Sequence, residues 1–112
     1  DRGMSRHENY PLDVAASSVL GAALDGAGDA FPVKHLRNLA VQFDGDPLTA
    51  EVRIEGRISP DVAFAELWAG IPAAGDIQGF TQPLHAIRVV TTAGDASALE
   101  AVVAGELRSS DG

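Results

Sequence analysis

The chain has 112 residues and no cysteine, so a single domain with one core is expected, and disulfide frameworks, thiolate metal sites and cysteine nucleophiles are excluded. Eight Lys and Arg against sixteen Asp and Glu give a net charge of -8, which argues against a nucleic-acid partner because phosphate binding draws much of its affinity from basic side chains. Aromatics supply only 5% of the residues within a hydrophobic fraction of 46%, so the core should be aliphatic, built on Val, Leu and Ile.

Residues 1–3 precede a Met4-Ser5 pair that reads as a natural start, and they are expected to be the remnant of a cloning tag. Residues 1–11, polar with a lone tyrosine at Tyr10, read as an N-terminal arm that packs on a neighbour or stays disordered. The longest apolar stretch, residues 14–24, is broken by Ser17, Ser18 and Gly21 and is too short for a membrane span. It also lacks the basic flank and cleavage pattern of a signal peptide, so a soluble chain without a membrane partner is expected. Val14, Val19, Leu20 and Leu24 would stripe a short helix, but the Val, Ser and Gly content fits a strand equally well, and we take a strand. Asp25-Gly26-Ala27-Gly28-Asp29 then reads as a turn.

Leu39, Val41 and Phe43 alternate with Ala40 and Gln42, and the run stops at Asp44-Gly45-Asp46-Pro47; this predicts a strand ending in a hairpin loop. Ala50, Val52, Ile54, Gly56 and Ile58 then alternate with Glu51, Arg53, Glu55 and Arg57 in a strict period of two. Such a strand buries the aliphatic row and exposes the row of alternating charge. After Ser59-Pro60-Asp61 the alternation resumes on Phe64, Glu66 and Trp68, and residues 77–80 form a further short candidate. Residues 84–92 are rich in β-branched side chains. Arg88, flanked there by apolar residues, should project to the opposite face and pair with an acidic residue of the neighbouring strand. Ala93-Gly94-Asp95 turns the chain into a last strand with Leu99, Ala101 and Val103 on one face. Residues 12–105 are thus expected to form an all-β, antiparallel sandwich of seven or eight short strands, jelly-roll or Ig-like, followed by a polar tail at 106–112.

Chemistry-bearing motifs are sparse. His7, His35 and His85 show no spacing that puts two ligands on one helix face, and no metal site is expected from them; His85 reads as a surface or edge residue. Glu51 and Glu55 are interleaved with Arg53 and Arg57, so cross-strand salt bridges account for them better than a glycosidase pair. The Asp-rich turns lack the spacing and terminal glutamate of an EF-hand, so turn formation is preferred over calcium binding. Ser17-Ser18 lies in no nucleophile elbow, and no phosphate-binding glycine loop occurs. Neither a catalytic site nor a cofactor is expected, and Trp68 reads first as a core anchor.

The runs LRNLAVQFDG at 36–45, TAEVRIEG at 49–56, Trp68 after Glu66-Leu67, and LHAIRV at 84–89 resemble a recurring β-sandwich module of bacteriophage virion structural proteins. That resemblance covers residues 28–105 and marks turns and core positions, with no active-site residues to carry over. It implies a capsid decoration, head spike or tail accessory protein, located in the virion after assembly in the host cytoplasm, with itself and other virion proteins as partners. Contacts would come from edge strands or the arm, with Tyr10, Trp68, Phe80, Arg53 and Arg57 as candidate interaction residues. The competing expectation is a carbohydrate-binding module, in which Trp68, Tyr10 or Phe80 would lie exposed and stack on sugar.

Overall fold

A computed structural model describes residues 7–12, 14, 28–45 and 50–107. The turn at residues 25–29, the segment 14–24, the loop at 46–49 and the tail therefore lie wholly or largely outside the described residues. Eight strands occur among them: β1 (His7–Leu12), β2 (Phe31–Pro32), β3 (Leu36–Gly45), β4 (Glu51–Arg57), β5 (Ala65–Gly70), β6 (Ile77–Phe80), β7 (Ala86–Ala93) and β8 (Leu99–Leu107). They form two antiparallel four-stranded sheets, β1-β8-β3-β6 and β2-β7-β4-β5. The protein is an antiparallel β-sandwich, as its period-two runs require.

The core lies between the sheets and is aliphatic. Leu39, Val41 and Phe43 of β3 and Leu99, Ala101 and Val103 of β8 face Val52 and Ile54 of β4 and Ile87 and Val89 of β7. Each fully buried Val, Ile or Phe side chain contributes roughly 2 kcal/mol of apolar burial. Because successive side chains alternate, the same strands send Gln42, Asp44, Arg53, Glu55, Arg88 and Glu100 to the outer faces.

The link from β3 to β4 is not a hairpin. β3 pairs with β8 and β6, whereas β4 pairs with β7 and β5, so the chain changes sheets between them. Turn residues signal that a chain bends but not which sheet receives the next strand. Among the described strands, only β4 and β5 are both consecutive and paired. Gly45, the last residue of β3, has φ +89°, and a Cβ there would overlap the carbonyl oxygen of Ala98; only glycine accepts both conditions.

Four other expectations change. Residues 7–12 are no free arm, since β1 is hydrogen-bonded along β8 from His7 opposite Glu106 to Leu12 opposite Ala101. β8 runs on to Leu107, two residues into the segment read as a tail. β4 stops at Arg57, leaving Ile58 65% exposed instead of extending the buried row. In β5 the simple alternation fails: the register against β4 slips between Ile54 and Glu55, which lie opposite Trp68 and Glu66. Such a bulge lets Leu67 and Trp68 both turn inward against the core.

Candidate interaction surface

A group of charged side chains linked by ion pairs sits on the outer face of the sheet β2-β7-β4-β5. The period of β4 places Arg53, Glu55 and Arg57 there in one row, and Arg88 of β7 stands directly opposite Glu55 in the ladder. Ile87 and Val89 are fully buried on the other face, so Arg88 has to point outward. This is the pairing with a neighbouring acidic residue that the sequence predicts. Oε1 of Glu55 accepts from Nε of Arg88 at 2.9 Å and from its Nη2 at 2.8 Å, and Oε2 lies 3.0 Å from Nη2 of Arg53. Hydrogen bonds of this kind between ions are shorter and stronger than neutral ones.

Phe64, just before β5, completes the group. The guanidinium carbon of Arg88 lies 4.2 Å from the ring centroid and that of Arg57 4.6 Å, within the range where a cation is attracted to the π face. Glu55 is consequently only 7% exposed. The expected solvated row of charge is thus corrected at its centre, because the guanidiniums of Arg88 and Arg53 close over a carboxylate that the strand period alone places in water, and Phe64 stacks on Arg88 from outside. Glu66 lies opposite Glu55 on β5 and is exposed; two like charges facing each other are unfavourable, and the arginines offset them. Arg57 makes no ion pair among the described residues, and its Nε is buried without an acceptor, as is that of Arg53.

The other candidates lie elsewhere. Phe80 is 7% exposed and belongs to the core, which removes it as a contact residue; Leu39, its ladder partner, faces inward with it. Trp68 is half-buried, tilted against Phe43 with centroids 5.7 Å apart. Tyr10 is half-buried too, its ring 5.0 Å from Phe31 and its hydroxyl donating to Glu8. The five proposed contact residues thus divide, with Arg53 and Arg57 brought together and the three aromatics committed mainly to packing. Sequence reasoning missed Phe64 as the lid of the cluster. Its distance from Arg88 along the chain leaves no local signal, although its place two residues before Glu66 puts it on the outward set of that alternation.

His85 is half-buried, not a plain surface residue, and its Nδ1 is buried without a hydrogen-bond partner. Among the described residues no three His, Asp or Glu side chains gather where they would hold a metal. Asp95, exposed in the β7–β8 turn, accepts from the backbone N–H of Ser97 at 2.8 Å, and this bond with the Ser97 hydroxyl holds its carboxyl below the ordinary value. Two hollows lie on the other sheet. One of about 400 Å³ is lined by Pro11, Leu12, Val14 and residues 99–102, and one of about 130 Å³ by Gln42, Asp44, Glu100 and Val102.

The chain matches no protein-family model, and its sequence has no significant match among curated proteins. Its fold does have solved counterparts. The crystal structure of SPBc2 prophage-derived protein YomS superposes with a TM-score of 0.63 at 12% identity, over 94% of this chain and 96% of that one. The crystal structure of PBSX exported protein XepA superposes with a TM-score of 0.64 at 15% identity, over 95% of this chain but 39% of that one. Two phage-derived proteins share the fold. The chain thus spans nearly all of YomS and well under half of XepA.

Proposed function

We propose that this protein is a non-enzymatic structural component of a bacteriophage particle, a capsid decoration or head or tail accessory protein that binds other virion proteins as an oligomer. The observation that carries this reading is the sandwich shared with YomS over almost the full length of both chains. The strand order supports it further, since β1-β8-β3-β6 over β2-β7-β4-β5 is the order of a jelly roll, an architecture recurrent in viral capsid and lectin domains. The notable polar group is a surface cluster in which both oxygens of Glu55 are taken up by arginines, an arrangement suited to presenting fixed cations to another protein. The burial of Phe80 and the packing of Trp68 against Phe43 weaken the sugar-stacking platform on which a carbohydrate-binding module would depend, with Trp68 and Tyr10 half-buried. Neither cofactor, nucleic acid nor membrane enters the proposed role.

Size-exclusion chromatography with light scattering, followed by co-sedimentation with assembled heads or tails, tests the reading. We expect an oligomer that sediments with particles. A strict monomer that ignores particles and is retained on a glycan column would overturn it.

A further inference from the structure

The two sheets leave β1, β6, β2 and β5 as edge strands, and unpaired backbone at an edge invites another strand unless it is blunted. Three are blunted. β1 carries Pro11, which has no N–H to donate, together with His7 and Glu8. β2 is two residues long, one of them Pro32, and β6 has only four residues. β5 has six, with no proline, no lysine or arginine and a single charge at Glu66. It pairs with β4, and among the described residues no other backbone reaches its far side. Among those residues, four of the five exposed large hydrophobics, Ile58, Val62, Ile71 and Ile77, lie in the connections that flank β5 or where the second of these enters β6. The unblunted edge is therefore also bordered by apolar surface.

The bulge in β5 decides what fits there. Residues directly opposite each other in an antiparallel ladder share a face, so a regular strand, whose faces alternate, cannot be turned onto itself about a point between two residues. β5 can. Glu66 and Ala69 are exposed and stand opposite the outward Glu55 and Arg53, whereas Leu67 and Trp68 between them both pack on the core. The order is out, in, in, out, the same from either end. We propose that β5 pairs antiparallel with β5 of a second copy of this chain about a two-fold axis between Leu67 and Trp68, joining the two sheets into β2-β7-β4-β5-β5-β4-β7-β2. Glu66 of each copy then faces Ala69 of the other and Leu67 faces Trp68, so no like charges meet across the new ladder. Such an isologous contact closes at two copies. Glu66, which faces Glu55 in its own chain, is led across the small Ala69 side chain toward Arg53 of the second copy. The interface deepens the oligomeric reading above and rests on it.

The chain has no cysteine, so an introduced pair reports the register without background. Directly opposed residues have Cα atoms about 4.5–5.5 Å apart, within disulfide range. Oxidising an equimolar mixture of Glu66→Cys and Ala69→Cys chains should give the mixed dimer, read by mass spectrometry, in excess over either like pair, because each residue is offset from its own copy by about 10 Å along the strand. Sedimentation velocity over a concentration series should show the wild-type chain passing from monomer to dimer. Ala69→Glu sets carboxylates opposite each other at two places and should weaken the dimer about fivefold or more. Ala69→Lys at the same site should not weaken it, and adding Glu66→Lys to Ala69→Glu should restore it. Both positions are exposed, and circular dichroism melts verify that each variant folds. A wild-type monomer at every concentration overturns the proposal. So do like pairs that cross-link as readily as the mixed one, and association that treats Ala69→Glu and Ala69→Lys alike. Those last two results leave the oligomeric reading standing; a chain that neither associates nor binds particles removes that reading itself.

Discussion

Glu55 holds two arginines that are not equivalent. The Arg88 side chain is 23% exposed and engages one carboxylate oxygen through two donors, whereas Arg53 is 40% exposed and uses one. Exposed ion pairs contribute little, about 0–1 kcal/mol, while removing the partner of a buried charge costs several times more. Chemical denaturation should therefore show Arg88→Ala losing about 2–3 kcal/mol and Arg53→Ala less than about 1 kcal/mol. At Gly45 the positive φ and the nearby Ala98 carbonyl act together, and Gly45→Ala should cost at least about 2 kcal/mol in the same experiment. Asp95 gives the acid limb its sign. With its folded pKa below the unfolded one, its contribution is complete above the unfolded value and fades as pH falls through the folded one. Asp95→Asn should flatten that small part of a stability-versus-pH curve and leave neutral pH little changed.

The strands differ in how openly their sequences declare them. β4 is legible because apolar and polar residues alternate without interruption, β7 because it is rich in β-branched side chains, and β8 by the row Leu99, Ala101 and Val103 on one face, and the residues Val52, Ile54, Ile87, Val89, Ala101 and Val103 do lie in the core. β5 defies the same rule, since its bulge against β4 turns Leu67 and Trp68 to one side. Period counting has no way to see an extra residue that a partner strand imposes. Trp68→Ala should cost about 3 kcal/mol, the lower end for a core aromatic because the ring is only half-buried, and near-ultraviolet circular dichroism should lose its tryptophan signal with it. The arginine row of the candidate surface was equally legible, with Arg53, Arg57 and the outward Arg88 following from alternation. The burial of Glu55 was not, because Arg88 reaches it from 33 residues further along the chain, with Phe64 stacked on that guanidinium, and local pattern carries no record of either approach.

For the molecule as a whole, the path of the chain between sheets matters more than any one contact. Nearly every step from one described strand to the next changes sheet, so few strands can pair before distant parts of the chain are in place. Closing those loops must precede the contacts that reward it, which slows folding. Stopped-flow refolding followed by Trp68 fluorescence should be a process of milliseconds to seconds, and relaxation in microseconds would contradict the crossover topology.

The pairing of β1 with β8 carries a further consequence. His7 lies across the ladder from Glu106, so the path into the sandwich and the path out of it run side by side. A module of that shape can be spliced into a loop of a larger host without prising the host apart, or be tethered from either end with its far faces free. XepA, which this chain covers to 39% of its length, shows that the same architecture fits within a longer polypeptide. Joining residues 7 and 107 by a short linker and opening the chain at the β4–β5 turn should yield a circular permutant with an unchanged far-ultraviolet spectrum; a scrambled spectrum would mean that β1 has to dock first.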